Sequence, residues 1–148
     1  MLIGQYISKI TEKNRISLPK KFRSELGDRV IIAKWYEGCC VIVSEVSWNQ
    51  ILKMLTGRMS TLTRAVRDTD RFILGSAYEL DLDLQGRFVI PGTLKDYADL
   101  SEDVVFLGLG NRIELWNLDV WVKKEKSVQG SAEEALESMA VQSTSNEE

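Results

Sequence analysis

The chain contains no histidine, and its 148 residues include only two cysteines and two prolines. Without histidine, Ser-His-Asp and Cys-His nucleophiles and every histidine-ligated metal site are excluded. The cysteines are the neighbours Cys39 and Cys40, which are poorly placed for a disulfide with each other and too few for a metal site. Successive side chains of an extended segment point to opposite faces, so we expect one buried and one outward-facing thiol. These absences leave few classes of enzyme open.

Long apolar runs are also missing. No segment approaches the roughly 20 apolar residues that cross a bilayer, and the first residues lack the basic and apolar regions of a signal peptide. Hydrophobic residues make up 44% of the chain and charged residues 28%, as in an ordinary globular domain. We therefore expect a cytoplasmic protein with a sizeable core.

Charge divides the chain into a basic and an acidic half. Residues 1–74 carry 13 Lys and Arg against 7 Asp and Glu, a net charge of +6. Residues 75–148 carry 6 against 15, a net charge of −9. This asymmetry indicates nucleic acid or an acidic surface as a partner for the first half, although a solvated basic face is the commoner cause.

An internal repeat of about 72 residues organises the sequence. Arg15 aligns with Arg87, and Pro19 aligns with Pro91. In each copy two short strands meet at a turn, a helix follows the proline, and two apolar strands and a helix with a tryptophan come next. Two copies are too few for a solenoid, so we expect a pseudo-symmetric pair that shares one core.

The residue before each aligned arginine predicts the shape of the turn. Asn14 precedes Arg15, and Gly86 precedes Arg87. Asparagine and glycine are the residue types that most readily adopt positive φ. We therefore predict a left-handed residue in each turn, which fixes the backbone just before the arginine.

The turn of the first copy is basic, because Arg15 follows Lys13 and Lys9. A two-stranded ribbon fits the major groove of B-DNA, where arginine can pair with guanine through two hydrogen bonds and lysines neutralise phosphates. Asn14 can add a base or phosphate contact. In the alternative interpretation Arg15 pairs with Glu12 and only holds its turn.

The turn of the second copy is acidic. Asp81 and Asp83 would repel a phosphate backbone and attract Arg87, so a structural role is favoured for that arginine. Paired carboxylates can also bind Mg²⁺ or act as acid and base, but no phosphate-binding loop or activated nucleophile accompanies them. We therefore predict no enzyme, no catalytic residue, no metal and no cofactor.

The repeat divides the chain into four segments. They are a first half-domain at 1–56, a connecting helix at 57–75, a second half-domain at 76–126 and a tail at 127–148. A helix is predicted over 61–74, and its arginines are expected to be solvated or paired with acids. The tail is polar and acidic, so we expect a frayed helix followed by disorder.

The duplicated turn resembles the MraZ family of bacterial transcriptional regulators. The resemblance is carried by Arg15–Pro19, Asp83–Pro91 and Gly110–Trp116, and it covers about residues 1–125 in order. It implies an α+β fold in which two AbrB-type half-domains interlock their hairpins within one chain. The result is a pseudo-symmetric swapped-hairpin barrel with flanking helices.

The resemblance also implies partners and a location. Such chains assemble into closed rings of identical copies, which present basic hairpins to direct repeats in the promoter of their own operon in the division and cell-wall gene cluster. Double-stranded DNA is then the partner, usually with repression as the result, and neither a membrane nor a small-molecule substrate is expected. The implied location is the cytoplasm, in association with the nucleoid.

The family pattern is Asp-x-x-x-Arg in each half. Asp83 and Arg87 match it, whereas Thr11 stands at the aspartate position of the first half and Asn14 at the glycine position. This departure removes one acidic neighbour from Arg15, which favours DNA binding. The candidate DNA-binding residues are therefore Arg15, Lys13, Lys9, Asn14 and, more weakly, Arg87. The candidate structural residues are Pro19, Asp83, Gly86 and Pro91.

Two alternatives to a DNA-binding regulator stay open. One is a ring-forming interaction module whose arginines bind an acidic partner without DNA. The other is a carboxylate-metal hydrolase, which would need Asp83 and Mg²⁺ for turnover.

Overall fold

The computed structural model describes residues 1–56 and 63–147, which contain eight strands and five α-helices. In chain order these are β1 Leu2–Lys9, β2 Arg15–Ser17, α1 Lys20–Leu26, β3 Arg29–Lys34, β4 Cys40–Val43, α2 Glu45–Thr56, α3 Arg64–Ile73, β5 Tyr78–Asp81, β6 Arg87–Val89, α4 Gly92–Tyr97, β7 Asp103–Gly110, β8 Ile113–Asn117 and α5 Leu118–Glu147. The expected mixture of helices with an antiparallel sheet is confirmed.

Strands of both copies alternate in the main sheet. Its six strands lie in the order β1-β7-β8-β4-β3-β5, and β2 pairs with β6 in a separate antiparallel ribbon. The first four strands belong to the first copy, and β5 to β8 are their equivalents, in the same order, in the second copy. Exchanging each strand for its equivalent reverses the six-stranded order, and every strand keeps equivalent neighbours. The same exchange maps the ribbon onto itself, with Ile16 opposite Phe88 at its centre. The strand pairing is therefore pseudo-twofold.

The core lies between the ribbon, the first helix of each copy and one face of the sheet. Ile16 and Phe88 are buried in the ribbon, and Phe22 of α1 and Leu94 of α4 are completely buried. The ring of Tyr6 meets the ring of Phe22 edge to face, with centroids 5.0 Å apart. Full burial of each such side chain contributes about 1.5–3 kcal/mol. The two copies therefore stabilise each other through one common core.

The opposite face of the sheet is also covered, where α2 and α3 pack against β3. Val41 and Val43 of β4 are buried, and so is Ile31 of β3. Cys39 and Cys40 are both buried free thiols, so the prediction of an outward-facing thiol is wrong. Alternation exposes a side chain only where one face of a sheet meets water. Burial raises the pKa of Cys40 to about 12 and also raises that of Cys39, so both stay protonated.

Local sequence signals account for the helix starts. Pro19 and Pro91 immediately precede α1 and α4. The Thr63 side chain accepts a hydrogen bond from the Val66 N–H at 3.3 Å, and α3 begins at the next residue, Arg64. The helix predicted over 61–74 is thus found from residue 64 onward. Residues 57–62, which belong to the predicted connecting helix, lie outside the described residues.

The final helix differs from expectation. A frayed helix and a disordered tail were predicted from residue 127, but α5 continues to Glu147. Glutamate and alanine are frequent here, and both have high helix propensity. A solvated helix and a disordered tail share a polar, acidic composition, which explains the wrong prediction. Residues 1–117 form one compact unit, and α5 belongs to a second unit.

Among the helices in the described parts of the chain, none is long and apolar enough to cross a membrane.

Replacing Ile16 with alanine tests the position of the core. Ile16→Ala should lower the free energy of unfolding by about 2–5 kcal/mol, because it leaves a cavity beside Phe88. Val46→Ala is the control, because Val46 is 68% exposed on α2, and it should change stability by less than about 0.5 kcal/mol. Urea unfolding followed by circular dichroism measures both. Equal losses for the two variants would contradict the described core.

Candidate nucleic-acid interface

The two turns that carry the aligned arginines have the same backbone geometry. In the first, the Asn14 N–H donates to the Thr11 carbonyl at 2.9 Å, and the Thr11 N–H donates to the Arg15 carbonyl at 2.9 Å. Matching bonds of 2.9 and 3.1 Å close the second turn, where Asp83 replaces Thr11 and Gly86 replaces Asn14. Asn14 has φ 59° and Gly86 has φ 74°. The predicted left-handed residue before each arginine is confirmed.

Asp83 holds both the backbone of the second turn and the side chain of its arginine. Its Oδ1 accepts the N–H groups of Gln85 at 2.9 Å and Arg87 at 2.8 Å, and its Oδ2 accepts Nε of Arg87 at 2.7 Å. The bond from the Arg87 backbone N–H contributes most to holding the pKa of Asp83 below its ordinary value. Arg87 thus forms the ion pair within its own turn that the sequence favoured.

Thr11 reproduces only the backbone part of this arrangement. Its Oγ1 accepts the Arg15 N–H at 3.2 Å, as Oδ1 of Asp83 does for Arg87. A threonine has no second oxygen to accept a bond from the guanidinium. Within residues 1–56 and 63–147, the exposed Arg15 guanidinium makes neither an ion pair nor a hydrogen bond, and the alternative pairing with Glu12 is not formed. The same turn therefore binds one arginine and leaves the other exposed to solvent.

A surface groove of about 500 Å³ lies beside the first turn. It is lined by Ser8, Lys9, Thr11, Glu12, Lys13, Arg15, Ile16, Ser17 and Arg87. Four of the five candidate DNA-binding residues, Lys9, Lys13, Arg15 and Arg87, thus share one groove, although they belong to different copies of the repeat. Glu12 is the only acid among the lining residues described. We call this surface the basic groove.

The Lys9 end of the basic groove has acidic neighbours. Its Nζ lies 3.4 Å from Oδ1 of Asp103 and 3.5 Å from Oε1 of Glu102. The hydrogen bond with Asp103 is the largest cause of the raised pKa of Lys9, so the ammonium stays charged. These pairs are exposed, and salt screens such pairs strongly. Lys9 is therefore less available to an anionic partner than Lys13, whose side chain forms no ion pair among the described residues.

Asn14 does not line the basic groove. Its Oδ1 accepts a hydrogen bond from Nζ of Lys95 at 2.6 Å, and its carbonyl accepts the Ile90 N–H at 2.8 Å. Asn14 and Lys95 line a second groove of about 510 Å³. Lys9 lines this second groove as well, so the structure separates Asn14 from Lys13, Arg15 and Arg87. The Asn14 side chain is bound to the opposite half of the chain.

Lys95 was not predicted as a site residue, although its position in the repeat indicates it. Lys95 follows Pro91 by four residues, just as Arg23 follows Pro19 by four residues. Both copies thus place a basic residue at the same position of the helix after the proline. Extending the alignment of the two copies beyond the proline would have matched Lys95 with Arg23.

Other charged candidates are bound to neighbours. Asp68 lies 3.7 Å from Nε of Arg64 and 2.9 Å from NH1 of Arg71, so these two arginines of α3 pair with an acid, as predicted. Asp81 lies 3.5 Å from Nε of Arg29. Among the described residues, no group of three or more His, Cys, Asp or Glu side chains could hold a metal ion.

The hydrogen bonds and the ion pair that Asp83 makes in its turn, which we call the Asp83 brace, predict an acid-sensitive contribution to stability. Because the folded pKa of Asp83 is depressed below its ordinary 3.8, the carboxylate stabilises the fold above that pH, and the contribution is lost as pH falls through the folded pKa. Asp83→Asn should therefore lower the free energy of unfolding at about pH 6, and its difference from the parent should shrink towards about pH 3. Urea unfolding across this range measures the difference. A difference independent of pH would contradict the role of the carboxylate.

Comparison with known proteins gives a consistent assignment. A family model described as "MraZ protein, putative antitoxin-like" matches the chain twice, over residues 1–72 and 73–142. A "Transcriptional regulator MraZ" of Syntrophomonas wolfei is 39% identical, covering 94% of this chain and 96% of the relative. Proteins of the same name are 38% identical in Halothermothrix orenii, over 94% and 96%, and 37% identical in Bifidobacterium longum, over 92% and 93%. The chain therefore belongs to the MraZ family.

Proposed function

We propose that the protein is a sequence-specific DNA-binding transcriptional regulator and that Arg15 is its principal DNA contact. The observation that carries the proposal is the exposed Arg15 guanidinium in the basic groove, where the equivalent Arg87 is bound by Asp83. The names of the relatives, which are transcriptional regulators, support the same class of function. We assign no catalytic residue, metal or cofactor to this function.

The geometry of the first turn suits recognition of a base pair. The left-handed Asn14 and the bond from the Arg15 N–H to Thr11 hold the backbone before DNA arrives, so less conformational entropy is lost on binding. The arginine fork can donate two hydrogen bonds to O6 and N7 of guanine in the major groove. Lys13 and Lys9 would neutralise phosphates, which mainly increases the salt dependence of binding.

We further infer that the two halves form the AbrB-type swapped-hairpin barrel within one chain. Its support is that β2 pairs with β6 rather than with β1, while β1 pairs with β7 and β5 pairs with β3. Every pairing of these strands thus joins one copy of the repeat to the other. In this arrangement each half completes the core of its partner half.

The small number of DNA contacts that one chain can make is the reason for proposing an assembly of several chains. Arg15 and the two lysines of the basic groove supply only a handful of contacts, so tight binding needs several copies on the same DNA. A closed ring of identical chains would present its basic grooves at regular intervals to direct repeats. We propose such repeats in the promoter of the protein's own operon, with repression as the result, and the cytoplasm and nucleoid as the location.

An interaction module is the competing proposal, because an exposed arginine in a basic groove would also bind an acidic protein. The two proposals differ in their dependence on base sequence. A DNA-binding regulator prefers duplexes that contain the promoter repeats to scrambled duplexes of the same length, whereas the interaction module has no such preference.

Replacing Arg15 tests the assigned contact. Arg15→Ala should weaken binding to repeat-containing DNA about tenfold or more, because a base-reading arginine contributes about 1–3 kcal/mol of discrimination. Arg87→Ala is the matched control, because it removes the same charge from the ribbon at an arginine that is already paired with Asp83. Its loss of affinity should be clearly smaller. Fluorescence anisotropy with labelled duplexes measures both variants.

Two results would count against the proposal. Equal losses for Arg15→Ala and Arg87→Ala would remove the special role of Arg15. Equal affinity of the parent protein for repeat and scrambled duplexes would favour the interaction module.

A further inference from the structure

A contact between the two halves reaches the residue next to Arg15. Lys95 lies in α4 of the second half, and its Nζ donates to Oδ1 of Asn14 at 2.6 Å. Both side chains are half-buried. The Ile90 N–H donates to the Asn14 carbonyl at 2.8 Å, so two bonds from the second half hold this one residue. Asn14 immediately precedes Arg15, and its orientation therefore sets the direction in which the Arg15 side chain leaves the turn.

The equivalent contact in the other half is made between Arg23 and Gly86 and differs in kind. Arg23 of α1 packs its side chain over Gly86, where an added Cβ would collide with the arginine Cδ. The Leu18 N–H donates to the Gly86 carbonyl at 2.9 Å, which matches the bond from Ile90 to Asn14. Nε of Arg23 is buried and has no hydrogen-bond partner among the described residues. The Arg23–Gly86 contact is therefore one of packing rather than of hydrogen bonding.

The two arrangements compensate for what each turn lacks. The second turn has the Asp83 carboxylate to hold it, and its glycine leaves room for the larger arginine. The first turn has Thr11, which makes a single hydrogen bond, but its Asn14 amide receives the lysine. Each turn thus has one strong brace, and the two braces come from different elements.

We propose that Lys95 is a positioning residue for the Arg15 turn. Through Asn14, the second half of the chain sets the orientation of the arginine that the first half offers to DNA. The proposal rests on the DNA-binding function for its biological meaning, but the brace itself can be measured without DNA. A charged donor on a half-buried amide is among the stronger hydrogen bonds of proteins, which suits this role.

Lys95→Met tests the brace, because methionine has a similar length and a high helix propensity but no donor. Without DNA, the amide protons of Arg15 and Ile16 should exchange with solvent faster than in the parent. Affinity for repeat DNA should fall about five- to tenfold, because the loosened Arg15 turn must then be ordered on binding. Affinity for scrambled duplex should fall much less, because a misdirected arginine still attracts phosphates.

Arg23→Met is the matched control. It removes one positive charge from the equivalent position beside the other turn, so it reproduces the change in net charge. Its effects on exchange at Arg15 and on affinity for repeat DNA should both be small. The rescue variant combines Asn14→Gly with Lys95→Arg, which rebuilds the packing seen at Gly86. It should bind repeat DNA more tightly than Asn14→Gly alone.

The results for Lys95→Met and Arg15→Ala together distinguish a failure of the positioning role of Lys95 from a failure of the proposed DNA-binding function. Unchanged exchange at Arg15 in Lys95→Met would overturn the positioning role. Equal losses on repeat and scrambled DNA, with the salt slope reduced by about one, would also overturn it, because Lys95 would then be a phosphate contact. If exchange rises in Lys95→Met while Arg15→Ala binds DNA like the parent, the brace is correct and the proposed function is wrong.

Discussion

The antiparallel pairing of β2 with β6 is the constraint on which the rest of the structure depends. These short strands come from different copies of the repeat and place Ile16 opposite Phe88 at the centre of the pseudo-twofold arrangement. Because both side chains are buried, the pairing joins the two halves through their common core. It also brings Arg15 and Arg87 into one basic groove. Neither half could form this surface without the other.

Within this symmetric frame, the two turns differ in one residue that decides their chemistry. Asp83 has two carboxylate oxygens and holds both the backbone and the guanidinium of Arg87. Thr11 has one hydroxyl and holds only the backbone of Arg15. Duplication thus preserves the fold of the turn, whereas the Arg15 guanidinium stays exposed to solvent. The lysine brace on Asn14 allows that freedom without loosening the turn.

Local features could be predicted from the sequence, whereas features that depend on a second layer could not. The start of α1 after Pro19 and the left-handed Asn14 and Gly86 follow from residue types within a few positions. Cys40 is buried against a distant part of the chain, where its Sγ donates to the Leu94 carbonyl of α4 at 3.7 Å, and the neighbouring Cys39 is buried as well. The bond from Lys95 to Asn14 joins residues 81 positions apart. The match with Arg23 in the other copy marks Lys95 as a candidate, but no pattern in the sequence identifies Asn14 as its partner. The length of α5 was missed because composition alone does not separate a solvated helix from a disordered tail.

The affinity of Thr11→Asp for repeat-containing DNA is the sharpest test of the role of Arg15. This substitution gives the first turn the carboxylate that binds Arg87 in the second, with no change at Arg15 itself. We predict that Arg15 then pairs within its own turn and that affinity falls about tenfold. This loss should exceed that of Ser8→Asp, which adds the same negative charge beside the basic groove. Affinity that stays at the level of the parent would contradict the claim that a free Arg15 carries DNA binding.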